Sequence, residues 1–71
     1  MKLYYHPDTD SLYIDLNSRP SAESREVAEG VVVDFDEQGA IVGIDIENAS
    51  KKLDLETLET QALPAATVRL A

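Results

Sequence analysis

The sequence predicts an α+β fold: a small antiparallel β-meander of two hairpins, with an added edge strand, covered on one face by a C-terminal helix. Three observations lead there. Residues 2–16 and 31–47 each alternate apolar and polar side chains with a period of two around a polar turn. Between them, SAESREVA (residues 21–28) reads as a loop or a charged edge strand, with the edge strand preferred. Beyond them, Leu55, Leu58 and Ala62 recur at helical spacing.

The first hairpin, about residues 2–16, is built on KLYYH, PDTD and SLYIDL. A four-residue loop over Pro7–Asp10 sets His6 opposite Ser11, Tyr5 opposite Leu12 and Leu3 opposite Ile14, so that one side is wholly apolar. The other side pairs Tyr4 with Tyr13 and Lys2 with Asp15, an aromatic pair and an ion pair, both favourable cross-strand neighbours. Asn17 to Ser21 has the composition of a turn.

The second hairpin, about residues 31–47, follows Gly30. With a loop over Asp36–Gly39, Phe35 faces Ala40, Val33 faces Val42 and Val31 faces Ile44. A slip of one residue would carry Asp34 and Asp36 onto the face of Val42 and Ile44, which strongly disfavours it. Gly39 suits the left-handed position that ends such a turn. The helix is expected over about 54–62. Asp54 serves as its N-cap, Glu56 and Glu59 sit at its positive end, Leu53 and Leu58 form a staple, and Pro64 marks the stop. The short C-terminal tail, ATVRLA, reads as a short strand or a fraying end.

Bulk composition narrows the functions. The chain has 71 residues, a single domain, with no Cys to supply a disulfide or a thiolate metal site. Its 44% hydrophobic content supports only a thin core at this length, so a homodimer is the expected way to bury more apolar surface. A net charge of −8 repels phosphate backbones and anionic membranes and attracts a basic protein partner. No apolar run approaches a membrane span and no secretory leader is legible, so the expected location is cytoplasmic.

DFDEQGAIVGID, residues 34–45, nearly spells a calcium loop: Asp34, Asp36 and Gly39 stand at its first, third and sixth positions. Gln38 at the fifth and Asp45 at the twelfth depart from it, and the flanks have strand rather than helix periodicity. The hairpin reading is preferred, with Asp34 and Asp36 as strand carboxylates facing solvent. Asp34, Asp36 and Asp45 remain weak candidates for a metal. His6, the three glycines and the serines carry no triad, phosphate-cradling loop or nucleophile elbow. No cofactor and no catalytic residue is expected. The face opposite the core mixes Tyr4, Tyr13, Asp15, Val32, Asp34 and Ile41, an apolar and acidic combination suited to an interface with a partner or a second copy. The C-terminal segment is a second candidate surface.

Two motifs then carry a family resemblance. YHPDTDSLYIDL resembles the Y-D-P-x-x-D-x-L-Y-I-x-L opening of a group of short prokaryotic proteins, the domain of unknown function 2283. VAEGVVVDFDEQGAIVGIDIENAS resembles the group's second signature, which runs from Gly30 through Asp34, Asp36, Gly39 and Gly43 to Ala49 and Ser50. His6 replaces the group's usual Asp, and Asp45 its usual Glu. The resemblance implies a small β-meander with a helix and no established activity. Some similar proteins are regarded as antitoxin-like partners of small toxins. The resulting expectation is a non-enzymatic protein-binding module, an antitoxin-like partner of a basic toxin-like protein. A metal-binding or metal-dependent hydrolytic domain and a purely structural oligomer subunit are the alternatives.

Overall fold

The computed structural model describes residues 1–65 and 67–70. It consists of five strands, β1 (Lys2–His6), β2 (Ser11–Asp15), β3 (Glu23–Ala28), β4 (Val31–Phe35) and β5 (Ile41–Ile46), then one helical turn, α1 (Ala49–Lys52). The strands form a single sheet in the order β1-β2-β5-β4-β3, antiparallel at every joint. The architecture is therefore mostly β. It is not a simple meander: the chain leaves β2, crosses to the far edge for β3, and returns inward through β4 to β5, which pairs with β2.

The first hairpin has the register that its pattern predicts, from Lys2 opposite Asp15 to His6 opposite Ser11. β3 is an edge strand, charged and broken in register between Glu26 and Ala28. Asn17 turns the chain after β2 by accepting a bond from the Arg19 N–H at 2.9 Å.

The second hairpin departs from expectation. Its loop holds three residues, 37–39, because the Asp36 N–H bonds the Ala40 carbonyl at 2.8 Å, and Gly39 takes the left-handed conformation with φ +82. Phe35 then faces Ile41, and a bulge follows, so Asp34 faces Gly43 and Val33 faces Ile44. The tighter loop and the bulge each shift the register by one residue. Together they return the same side chains to the apolar side, because the side-chain period of a strand is two.

The helix expected over 54–62 is absent, and with it the cover over the sheet. Among the described residues the chain is helical only at Ala49–Lys52, and Leu53 is already extended. Asp54 does accept a bond from the Glu56 N–H at 3.0 Å, but this closes an isolated Asx turn. Leu55 and Leu58 remain 40% and 67% exposed. A nine-residue helix without an apolar surface to bury is marginal, and Thr57 and Thr60 lower its propensity further. Of the tail, residues 67–70 form neither strand nor helix, and 66 and 71 lie outside the described residues.

The core is consequently thin. Val33, Val42, Ile46 and Ala49 are its buried apolar residues, and no large side chain is fully enclosed. The chain exposes 5802 Å², whereas a compact monomer of its 7.8 kDa exposes about 4,400 Å².

Candidate functional site

Asp10 ties the two hairpins together. It holds a left-handed φ of 52, which Asp tolerates better than most residues. Its carbonyl accepts the Ala49 N–H at 2.9 Å. Its carboxylate accepts the Ser50 N–H at 3.1 Å, the Ser50 hydroxyl at 2.7 Å and the Tyr5 hydroxyl at 2.8 Å. The first turn of α1 is thus capped by a residue from the other hairpin, since Asn48 gives no side-chain cap. The Ser50 hydroxyl, then the Tyr5 hydroxyl, holds the Asp10 carboxyl below its ordinary pKa, and the same bond raises that of Tyr5.

On the opposite face, one polar chain crosses the sheet. The Tyr13 hydroxyl of β2 donates to Asp34 of β4 at 2.9 Å, and the other Asp34 oxygen accepts the Ser24 hydroxyl of β3 at 2.6 Å. β5 lies between β2 and β4, and the tyrosine crosses it at Gly43. A Cβ there would overlap the Tyr13 hydroxyl and stand 2.7 Å from the ring carbon bearing it. Gly43 is thus the opening through which the ring passes. The bond to Asp34, then burial, then the charges of Asp34, Asp15 and Asp45 push the Tyr13 pKa up to about 12.

Asp36 answers the calcium question. It is buried and does not face solvent, contrary to the expectation for a strand carboxylate there. One oxygen accepts the N–H groups of Gln38 and Ala40, each at 2.9 Å, and the other meets Arg19 at 2.9 Å. Asp34 is likewise held by two hydroxyls, and Asp45 lies on β5 opposite Tyr13 and Val32. Among the described residues, no group of three or more His, Cys, Asp or Glu side chains could hold a metal ion.

Of the six residues expected to share a surface, five do. Tyr4, Tyr13 and Val32 lie on one rung with Asp45, and Asp15 and Asp34 lie on the next, flanking Gly43. Ile41 does not join them. The three-residue loop places it opposite Phe35, on the side of Val33. That other side carries Leu3, Tyr5, Leu12, Ile14, Ile44 and Phe35, none of them buried. The Arg25 guanidinium covers the Phe35 ring at 4.1 Å. A shallow hollow at the end of the sheet, lined by Glu29, Gly30, Glu47, Asn48, Lys51 and Lys52, is spanned by the Lys52 ammonium, which donates to the Glu29 carbonyl at 2.9 Å.

Sequence reasoning missed both cross-links, Asp10 to Ser50 and Tyr13 to Asp34. The signal for the second was present, since an isolated Gly within a strand pattern marks a close approach. The residues described above define a class: a small open sheet whose distinctive polar residues hold strands and turns together. The chain belongs to the family described as Protein of unknown function (DUF2283), whose model matches residues 2–50. No curated protein and no solved structure gives a significant match. No helix among the described residues is long and apolar enough to cross a membrane.

Proposed function

We propose that this protein is a non-enzymatic protein-binding module that pairs with a second copy of itself and receives a basic, toxin-like protein on its acidic face. The observation that carries the reading is the chain's unburied surface, on the sheet and on the exposed C-terminal segment alike. The chain exposes about a third more surface than a compact monomer of its mass, an excess of roughly 1,400 Å². A standard interface takes about 800 Å² from each partner. The residues that carry the family resemblance favour a binding role over catalysis. Asp10, Asp34, Asp36, Gly39, Gly43, Ala49 and Ser50 all act in caps, turns or cross-strand bonds. The net charge of −8 and the exposed Tyr4 beside Tyr13, Asp15 and Asp45 suit a basic partner.

The test is affinity capture from the native host with the wild type and with an Asp15→Lys/Asp45→Lys variant, at low and high salt. Retention of one basic protein by the wild type at low salt, lost in the variant, supports the reading. Equal recovery on both, or self-association alone at every salt concentration, overturns it.

A further inference from the structure

The two edges of the sheet differ. β3 carries Glu23, Arg25 and Glu26 and a break in register, which protect an edge from pairing. β1, KLYYH, pairs with β2 over all five residues without a break. Leu3, Tyr4 and Tyr5 are 47%, 45% and 44% exposed. β1 is also the one strand without a carboxylate in a chain that has 14 acidic residues.

The direction of its free backbone groups follows from the ladder. In antiparallel pairing, the N–H and C=O of one residue point to the same neighbour, and successive residues alternate. The Leu16 N–H donates to the Val42 carbonyl at 3.0 Å, so Leu12, Ile14 and Leu16 turn toward β5. Ser11, Tyr13 and Asp15 therefore turn toward β1 and bond His6, Tyr4 and Lys2. Leu3 and Tyr5 are left with both backbone groups pointing outward.

We infer that β1 pairs antiparallel with β1 of a second copy about a two-fold axis at Tyr4, joining the two sheets into one of ten strands. It deepens the self-pairing half of the reading above and is independent of the basic partner. The occupant is a second copy because the edge is self-complementary. With the axis at Tyr4, Leu3 meets Tyr5 of the other copy, and each such pair exchanges two backbone bonds. Moving the axis by half a residue sets outward groups against inward ones. Moving it one residue onward brings Pro7, which has no N–H, against Leu3. Charge agrees: two chains at −8 repel, and they meet here along a strand that bears only Lys2 and His6.

The cysteine-free chain permits a direct test. The pairing sets Tyr4 against Tyr4 with Cα atoms about 4.5 Å apart, within disulfide range. The two Lys2 residues lie about 14 Å apart, outside it. Under mild oxidation, Tyr4→Cys is expected to form a covalent dimer in most chains, and Lys2→Cys at least about tenfold less. Leu3→Pro removes an outward donor and leaves the bonds to β2 intact, so a folded Leu3→Pro chain is expected to dimerise at least about tenfold more weakly. Failure of Tyr4→Cys to cross-link, equal cross-linking of Lys2→Cys, or unchanged dimerisation of folded Leu3→Pro each overturns the pairing. Capture of the basic partner can succeed or fail without altering these outcomes.

Discussion

Replacing Gly43 by Ala tests the polar chain across the sheet. The added methyl occupies the path of the Tyr13 ring, 2.7 Å from its terminal carbon. Because that is the far end of a side chain, the ring can swing aside, and its bond to Asp34 is then lost. A hydrogen bond to a charged group contributes about 1.5–3 kcal/mol. Gly in a strand itself costs roughly 0.5–1 kcal/mol relative to Ala. Gly43→Ala should therefore destabilise the wild type by about 0.5–2.5 kcal/mol. In a Tyr13→Ala background the same change should stabilise by about 0.5–1 kcal/mol. The cycle is read from urea titrations followed by circular dichroism, with slopes that must agree among the four proteins. A coupling smaller than about 0.5 kcal/mol would refute the reasoning, since sites that do not touch are additive to that level.

Further expectations follow from the same contacts. Tyr13 has a folded pKa of about 12, above its ordinary 10.0, so its stabilisation is complete below pH 10 and is lost as pH rises toward 12. Alkaline melting curves should show this loss, and Tyr13→Phe should lack it. Asp36→Ala removes the acceptor of two backbone N–H groups and the partner of Arg19, and should cost about 2–4 kcal/mol of unfolding free energy in urea titrations. Calcium at about 5 mM should leave the melting temperature unchanged. A site with a Kd near 50 µM would add about 2.7 kcal/mol and roughly 10 °C or more.

The strands were legible where the information is local. The first hairpin's register follows from a single apolar side with Leu3, Tyr5, Leu12 and Ile14 and from the Tyr4–Tyr13 and Lys2–Asp15 pairs. The second hairpin's faces were legible and its register was not. A three-residue loop and a bulge conserve the faces while moving every partner beyond the bulge by two, and periodicity is blind to such a shift. The pairing of β2 with β5 and the cap that Asp10 places on Ser50 join residues far apart in the chain. The helix failed for a different reason. Its stripe of Leu55, Leu58 and Ala62 was correctly spaced, but no surface among the described residues receives it, and spacing alone does not stabilise a short helix. At the candidate surface, Ile41 was displaced by the tighter loop, and Asp34 and Asp36 proved to be fasteners of the sheet.

The claim that this sheet is completed by another chain at its β1 edge is tested most directly by amide hydrogen exchange at three adjacent residues. Tyr4 turns its N–H toward β2 and serves as the internal reference, while Leu3 and Tyr5 turn theirs outward. The account predicts that Tyr4 is protected at all concentrations, and that Leu3 and Tyr5 become protected together as the protein concentration rises. Free exchange of Leu3 and Tyr5 at every concentration, beside a protected Tyr4, would contradict it.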